Sequence, residues 1–383
     1  MTNKEKIFLA SPHMSDEGYE MEYIKEAFET NWIAPLGANV TNFEKEICDK
    51  LGCKAATALS SGTAAMHLAL KLLSIKENDL VFCQSLTFSA TASPIIYERA
   101  KPVFIDSDKE TWNMSPEALE QAFQKYDALG QRPKAVVVVH LYGLAANMDE
   151  IKKICKKYDT PIIEDAAESL GTSYKGQMTG TFGDYSVISF NGNKIITSSG
   201  GGMLLCNTET AEEDAKKALF WATQARDQAR YYQHSELGYN YRMSNIVAGI
   251  GRGQLKVLEE RVAKKREIYD TYKEAFVALP EITMMPIHDD LECSNCWLSC
   301  IVLDNESKIS PLDIQVALED ENIEARPIWK PMHMQPFFAE YDYIDNGGVG
   351  EWLFERGVCL PSDTKMTDVD MDRIIKIIKD LWK

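Results

Sequence analysis

Residues 189–202 read SFNGNKIITSSGGG and place one amine, Lys194, just beyond the apolar run 186–190. Small and flexible residues flank this amine, and three glycines, 200–202, close the stretch. A lysine in such a loop can reach into a cleft and bond covalently to a carbonyl compound. Lysine is rarely buried, however, and Lys194 taken alone is better explained as a solvated loop residue. The rest of the chain has to decide between these interpretations.

Apolar runs that we predict as strands alternate with amphipathic helices from residue 55 onward. The predicted strands include 55–59, 80–83, 102–105, 135–140 and 161–163, and the predicted helices between them include 63–73, 87–97 and 148–158. Residues 136–139 are consecutive valines, which is typical of a strand buried on both faces. We therefore predict an α/β fold with a mostly parallel central sheet, helices on both faces, and ligands bound beyond the carboxyl ends of the strands.

The C-terminal part of the chain has a different pattern. A charged helical region follows residue 245, and after it a few short strands and helices are predicted up to the last helix, 366–382. We predict a large domain at 1–245, a long linking helix at 246–280 and a small α+β domain at 281–383.

Composition narrows the class of protein. The chain has 383 residues and a formal net charge of −17, which disfavours nucleic acid or anionic membranes as partners. No secretory signal and no apolar run of membrane-spanning length is present, so we expect a cytoplasmic protein without a membrane partner. A ligand that carries phosphate would need a local binding site.

The nine cysteines are expected to be reduced thiols, since most lie in apolar segments. Cys293, Cys296 and Cys300 are the one cluster, and only His288 lies near enough in sequence to be a fourth zinc ligand. Residues 297–299 read as a strand, so we predict no metal site.

Two predicted strand ends carry groups suited to binding an anionic aromatic ligand. Ser61, Gly62 and Thr63 open a helix, where backbone N–H groups and the helix dipole favour phosphate. A plain helix N-cap is the alternative. Phe88 follows the next strand and is suited to lie against a planar ring, although it fits an ordinary core position equally well.

Acidic residues end a third predicted strand, at Glu164 and Asp165. A buried carboxylate requires a cationic partner, and a protonated ring nitrogen would supply one that Asp165 in turn keeps protonated. An N-cap or a pair with an internal arginine is the alternative. With the phosphate cradle, Phe88 and Lys194, this carboxylate completes the set of groups that pyridoxal phosphate requires.

The same motifs, in the same order, resemble the DegT-type nucleotide-sugar aminotransferases. The motifs are Gly62-Thr63, Thr87-Phe88, HLYG at 140–143, EDAA at 164–167, SFNGNK at 189–194 and GYNYRMS at 238–244. The resemblance extends from Asn31 to residues 359–362. It implies the fold type I architecture of pyridoxal phosphate-dependent aminotransferases and a homodimer with a shared active site.

The resemblance also implies roles for individual residues. Lys194 would form the Schiff base with pyridoxal phosphate and Asp165 would pair with its ring nitrogen, which makes these two the expected catalytic residues. The expected cofactor contacts are Ser61, Gly62, Thr63, Phe88, Asp165, Glu168, Ser189 and Lys194, with Asn240 of the partner subunit. Glu168 departs from the family pattern, because many members carry histidine or glutamine at this position.

A finer likeness is to the UDP-N-acetylbacillosamine aminotransferases, which aminate C4 of a UDP-linked 4-keto-6-deoxy-N-acetylhexosamine. It is carried by NWIAPLG at 31–37, TQAR at 223–226 and RPIWKPMH at 326–333. The implied substrate contacts are Asn31, Trp32, Ile33, Ala34, Arg226, Arg326, Trp329, Lys330 and His333. L-Glutamate is the implied amino donor.

Three alternatives to this finer assignment stay open. The first is amination of another nucleotide-linked keto sugar, carrying dTDP or GDP, at C3 or C4. The second is a sugar dehydratase that uses the same cofactor, although such relatives carry histidine in place of the lysine. The third is a non-catalytic, cofactor-binding regulator, for which the chain shows no DNA-binding element.

Overall fold

An eight-stranded sheet is the centre of the computed structural model, which describes residues 5–383. The strands are, in chain order, β1 (Ala55–Leu59), β2 (Leu80–Gln84), β3 (Lys101–Ile105), β4 (Pro133–Val139), β5 (Ile162–Asp165), β6 (Ser173–Tyr174), β7 (Gln177–Met178), β8 (Tyr185–Ser189), β9 (Gly202–Cys206), β10 (Ile282–Met284), β11 (Glu292–Cys293), β12 (Ser299–Leu303), β13 (Arg326–Pro327), β14 (Tyr343–Ile344) and β15 (Gly357–Leu360). The helices are α1 (Tyr19–Glu29), α2 (Ala38–Leu51), α3 (Gly62–Leu72), α4 (Ser89–Tyr97), α5 (Pro116–Ala128), α6 (Met148–Lys157), α7 (Ala211–Ala222), α8 (Asn245–Leu255), α9 (Leu258–Phe276), α10 (Pro311–Glu319), α11 (Val349–Arg356) and α12 (Asp368–Asp380).

The strand order of this sheet is β1-β9-β8-β5-β4-β2-β3-β14. Pairing is parallel from β8 through β5, β4, β2 and β3 to β14, which confirms the predicted mostly parallel sheet. β9 is the exception and pairs antiparallel with both β1 and β8. It reverses direction because residues 190–201 connect it to β8 as a hairpin loop and not as a crossover helix.

Helices cover both faces of the sheet, as the valine run in β4 predicted. Val136 and Val138 pack in one apolar cluster with side chains of α5 and α6. Val137, on the other face, packs in a second cluster with side chains of α3, α4 and α7. All three side chains are fully buried, because successive side chains of a strand point to opposite faces and here each face is covered.

A second, four-stranded sheet forms the smaller α+β part, with the order β10-β12-β15-β13 and antiparallel pairing. Side chains of α9, α10 and α12 pack on it in a separate apolar cluster. A third, short sheet has the order β11-β6-β7. The C-terminal part of the chain therefore has its own core.

The predicted linking helix at 246–280 consists of two helices, α8 and α9, and they pack differently. α8 lies against α1 and α2, where a Cβ at Gly251 would come within 2.6 Å of the Phe43 ring. α9 contributes instead to the core of the small sheet. Glycines at the contact allow α8 to approach closely, so this half of the predicted link belongs to the packing of the large part.

Two short segments cross the predicted domain boundaries. Ile7 pairs with Ile323 and is buried in the core of the small sheet, although it falls in the predicted large domain. β14, from the predicted small domain, joins the edge of the large sheet beside β3. Contacts of one or two residues leave no periodic pattern in a sequence, which is why composition and periodicity did not reveal this exchange.

The described residues also bear on the membrane and metal predictions. None of the helices between residues 5 and 383 is both long and apolar enough to cross a membrane. In the same range, no group of three or more His, Cys, Asp or Glu side chains is placed to hold a metal ion. The Cys300 thiol faces Cys359, at 3.5 Å, whereas Cys293 Sγ lies 2.7 Å from Arg266, so the cysteine cluster does not converge.

Candidate active site

A cavity of about 350 Å³ lies at the carboxyl ends of β1, β2, β4, β5 and β8, where ligands of such sheets bind. Nine of the residues predicted from the sequence line it: Ser61, Gly62, Thr63, Phe88, Asp165, Glu168, Ser189, Lys194 and Trp329. They come from loops far apart in the chain. The sheet brings these loops together because parallel strands end at the same edge.

The first part of the cavity is the turn that begins α3. Ser61 is the N-cap, and its Oγ accepts a hydrogen bond of 3.1 Å from the Ala64 N–H. Its own O–H stays available as a donor, so the N-cap and phosphate interpretations are compatible. A Cβ at Gly202 would overlap the backbone of Ser61 and Gly62, so β9 passes directly against this turn. The turn is thereby packed closely against β9, and its residues Ser61, Gly62 and Thr63 line the cavity as a cradle where the N-terminal N–H groups of a helix favour an anion.

Asp165 ends β5 and is 8% exposed, with its carboxylate on the cavity wall. The Thr91 hydroxyl donates to Oδ2 at 2.7 Å, and the Ala167 N–H donates to Oδ1 at 3.2 Å. Among the described residues no lysine or arginine forms an ion pair with it, so the alternative of an internal arginine partner is excluded. A buried carboxylate without a cation beside it fits a ligand with a protonated ring nitrogen.

Lys194 points into the same cavity and is held by two partners. Its Nζ lies 3.2 Å from Glu168 Oε1 and 4.1 Å from the centre of the Trp297 ring. Burial raises the pKa of Glu168, an effect that the Lys194 ammonium and the Tyr142 N–H oppose without cancelling it. The amine is therefore partly enclosed, beside a charged partner, and is not the solvated loop lysine of the simpler interpretation.

Aromatic rings form another wall of the cavity. Phe88 is 58% exposed, which excludes the core alternative, and its ring centre lies 5.5 Å from that of Trp329. Trp329 in turn contacts Tyr142 edge to face at 5.1 Å. This wall offers flat apolar faces to a bound ring.

Several predicted residues lie on the surface, outside the cavity of their own chain: Asn31, Trp32, Ile33, Ala34, Arg226, Asn240 and Arg326. Trp32 and Ile33 are 52% and 48% exposed. Their loop is nevertheless anchored, because the side chain of Asn245 donates to the Trp32 carbonyl at 2.7 Å and its N–H to the Ala34 carbonyl at 3.0 Å. One chain alone does not bring these residues to the cavity.

Two more predicted substrate contacts, Lys330 and His333, also lie outside the cavity lining. The His333 ring bonds to Ser85 Oγ at 2.7 Å and to Glu351 Oε1 at 2.9 Å, and it stacks on Tyr343 at 3.7 Å. The structure thus places this ring against the fold and not in the cavity. Its hydrogen bonds position the segment that carries Trp329.

Sequence reasoning missed Thr91 and Trp297. Thr91 orients Asp165 and lies one helical turn after Thr87, to which its hydroxyl bonds at 2.7 Å. Trp297 was considered only as part of the segment near the cysteines, whereas its indole lies against Lys194. The spacing of two threonines at a helix start was a usable signal, but nothing in the sequence placed Trp297 beside the lysine.

Comparison with known proteins agrees with this geometry. The chain is 55% identical to EpsN of Bacillus subtilis (strain 168), which is named as a pyridoxal phosphate-dependent aminotransferase, over 98% of the chain and 96% of that protein. It is 35% identical to GDP-perosamine synthase of Escherichia coli O157:H7 over 95% and 96% of the two chains. The crystal structure of a DegT DnrJ EryC1 StrS aminotransferase from Brucella abortus superposes with a TM-score of 0.87, at 28% identity and 95% coverage of each chain.

Residues 15–379 match the DegT/DnrJ/EryC1/StrS aminotransferase family as a whole. This family uses pyridoxal phosphate, and the α3 cradle, Asp165 and Lys194 fit that cofactor. The protein therefore belongs to the DegT/DnrJ/EryC1/StrS aminotransferase family.

Proposed function

We propose that this sugar aminotransferase transfers the amino group of L-glutamate to C4 of a UDP-linked 4-keto-6-deoxy-N-acetylhexosamine, for the synthesis of a surface glycan or glycoprotein. The observation that carries the chemistry is the meeting of Lys194, Asp165 and the start of α3 in one cavity. The choice of UDP and of C4 rests on the likeness of segments 31–37, 223–226 and 326–333 to enzymes with that substrate.

The residues of the cavity have different roles in the proposed reaction. When bound, pyridoxal phosphate supplies the electron sink for breaking a bond at the amino-bearing carbon. Lys194 Nζ would hold the cofactor covalently and, when free, would carry the proton that the reaction moves. Asp165, oriented by Thr91 and the Ala167 N–H, would keep the ring nitrogen protonated.

The remaining cavity residues bind and orient. Ser61, Gly62, Thr63 and Ser189 surround the site proposed for the phosphate. The Phe88 ring, 5.5 Å from that of Trp329, would cover one face of the cofactor ring, and the two rings together would exclude water from the reacting carbon. Arg326 and Lys330 flank Trp329 in the chain and are proposed to contact the nucleotide.

A second subunit would complete the site. The surface residues Asn240, Arg226 and 31–34 are exposed in one chain, and apolar side chains on an anchored loop are typical of a covered interface. We propose that residues 31–34 and Arg226 reach the nucleotide sugar across this interface, and that Asn240 of the partner subunit reaches the cofactor phosphate.

This shared site predicts complementation between two inactive variants. A mixture of Lys194→Ala and Asn240→Ala chains should regain part of the activity, because one site of the mixed dimer then has both native residues. The measurement is turnover in heterodimers purified through two different affinity tags. Heterodimers as inactive as either homodimer would contradict the shared site.

An assay on a panel of substrates tests the proposed specificity. The protein is incubated with L-glutamate and UDP-, dTDP- or GDP-linked keto sugars, and products are identified by mass and by NMR. A UDP-linked 4-amino sugar is the expected product. Amination at C3, loss of water without amination, or no reaction with any sugar would each overturn the proposal.

A GDP-linked 4-keto sugar is the second candidate substrate. It is favoured by the relatives named GDP-perosamine synthase, which match at 35% and 34% identity over nearly the whole chain. Amination of the GDP-linked sugar alone in the same assay would replace the UDP proposal by this one.

A further inference from the structure

The free amine of Lys194 lies in a seat built by residues of two different regions. On one side is the carboxylate of Glu168, just after β5, at 3.2 Å. On the other is the face of the Trp297 ring, just before β12, at 4.1 Å. The Lys194 and Glu168 side chains are 12% and 5% exposed, so this contact is largely removed from water.

Both walls of the seat have further hydrogen bonds that do not involve the lysine amine. The second oxygen of Glu168 accepts the Tyr142 N–H at 2.8 Å. The Trp297 indole N–H donates to the carbonyl of Asn193, next to the lysine itself, at 2.7 Å. Walls held by hydrogen bonds of their own are preorganised to receive the amine.

Asn295 ties the two walls together. Its side-chain Nδ2 donates to the Glu168 carbonyl at 2.9 Å, and its Oδ1 accepts the Trp297 N–H at 2.9 Å. A Cβ at Gly143, which has a φ of +96°, would overlap Asn295 Oδ1, so the neighbouring loop closes directly over this side chain. The distance between carboxylate and ring is thereby set by the fold.

The charges around Glu168 favour one occupant for the seat. Lys194 is its only cationic contact among the described residues, and Asp165, Tyr142 and the Cys300 thiol are the other titratable groups that face it. A buried carboxylate without a cation is costly. Glu168 is therefore most stable when the Lys194 ammonium is present.

We propose that Glu168 and Trp297 form a holding site for the amine of Lys194 whenever it is not bonded to the cofactor. The inference rests on the proposed function, since it takes Lys194 as the cofactor lysine. In those stages Nζ, with the proton that it carries for the reaction, lies between Glu168 Oε1 and the Trp297 ring. Glu168 acts on the reacting amine itself, and Trp297 is a positioning residue.

Competitive acetylation of the full-length protein after removal of its cofactor tests the holding site. A small N-hydroxysuccinimide acetate is used at neutral pH, and the acetylated fraction of the Lys194 peptide is followed by mass spectrometry, with the exposed Lys25 as internal reference. Acetylation requires the amine to lose its proton and its ion pair. Glu168→Gln, which keeps the shape of the side chain, should therefore speed Lys194 acetylation about tenfold.

Two further variants separate the ring face from the indole N–H. Trp297→Leu removes both and should speed acetylation about threefold, whereas Trp297→Phe restores a ring face and should stay near the wild-type rate. Glu120→Gln is the matched control, because Glu120 also pairs with a lysine, Lys157, but outside the cavity. It should leave the Lys194 rate unchanged.

An unchanged or slower Lys194 rate in folded Glu168→Gln would overturn the holding site. If that variant does not fold, Trp297→Leu and Trp297→Phe decide, and equal rates in the two would overturn it. Failure of the proposed function is distinguished by borohydride reduction of the loaded protein and peptide mapping. A cofactor fixed to a lysine other than Lys194 would refute the assignment of Lys194, whatever the acetylation rates.

Discussion

Glu164 and Asp165 are neighbours at the end of β5, yet their carboxylates have opposite surroundings. Glu164 is fully buried and accepts hydrogen bonds from His140 at 2.8 Å, from the N–H groups of Gly180, Phe182 and Gly183, and from Ser186. Among residues 5–383, Asp165 accepts hydrogen bonds from two donors, the Thr91 hydroxyl and the Ala167 N–H, and it lines the cavity.

The difference follows from the alternation of side chains along a strand, which sends the two carboxylates to opposite faces of the sheet. Burial raises the pKa of Glu164, but His140 and the N–H groups of Gly183 and Gly180 outweigh it and hold the pKa below its ordinary value. A carboxylate whose acceptor sites are all used by the protein serves stability. One with an unfilled side, as at Asp165, serves a ligand.

The largest effect is expected from removing Lys194, the residue that we expect to bind the cofactor covalently. Lys194→Ala should lower turnover by about 10⁴-fold or more while the fold is retained, because the covalent link and the proton carrier are both lost. Steady-state rates and the visible absorbance of the lysine-bound cofactor are the measurements. If that absorbance persists in the variant, another lysine holds the cofactor.

Asp165→Asn tests the functional carboxylate directly. We expect turnover to fall by about 10²- to 10⁴-fold, because an amide does not keep the ring nitrogen protonated. Stability should change by about 1 kcal/mol, since the amide oxygen still accepts the Thr91 hydroxyl and only the longer bond from the Ala167 N–H is lost. The measurements are turnover rates and urea unfolding of the cofactor-free protein. A large loss of stability with normal turnover would show that Asp165 serves stability and not the ligand.

Glu164→Gln should produce the opposite result. We expect a loss of about 3 kcal/mol or more in the free energy of unfolding, because His140 and several N–H groups lose their buried anion. Turnover per folded molecule should stay near that of the wild type. The same unfolding and rate measurements apply, with Asp165→Asn as the matched control, and equal stability of the two variants would contradict the assignment.

A smaller effect, on the pH dependence of stability, is expected from Lys265, a buried lysine. Burial lowers its pKa from an ordinary 10.5 to about 8, although Asp363 and Cys296 favour the ammonium, and its Nζ donates to the Trp297 carbonyl at 2.8 Å. Between these pH values the unfolded chain binds more protons than the folded one, so this lysine makes the protein more stable as pH rises.

Lys265→Met removes this titration. Relative to the variant, the wild type should gain up to about 3 kcal/mol as pH rises from 8 toward 10.5. Urea unfolding of both proteins across that range is the measurement. Parallel stability profiles would show that Lys265 does not titrate there.

The strand ends show how far sequence reasoning extends. Long apolar runs such as β4 and the acids after β5 predicted the sheet and the position of Asp165, because burial on both faces leaves a dense apolar signal. The same pattern did not show that Glu164 is bonded entirely by the protein whereas Asp165 is left open to a ligand. Those partners, Thr91 on one side and residues 180–186 on the other, lie in other segments of the chain, which the fold brings to the end of β5.

The surroundings of Lys194 mark the limit more clearly. Residues 189–202 predicted a loop lysine with access to a cleft, and the motifs around it predicted the cofactor. Trp297 lies more than a hundred positions away in the sequence. It contacts Lys194 because the C-terminal region packs against the loop, which only the structure reveals. The exposed surface of residues 31–34 likewise has no explanation within one chain.

By itself, the sequence determined the parallel sheet, the family, and the cavity residues Ser61, Asp165, Ser189 and Lys194, because strand burial and short motifs are local properties of the chain. Only the tertiary structure decided that the carboxylate of Glu164 is bonded by the protein while that of Asp165 faces the cavity. It also decided that Glu168 pairs with Lys194 and that the Trp297 ring lies against the amine. These outcomes depend on distances between residues far apart in the chain, and only the packing of the sheet and the C-terminal core sets those distances.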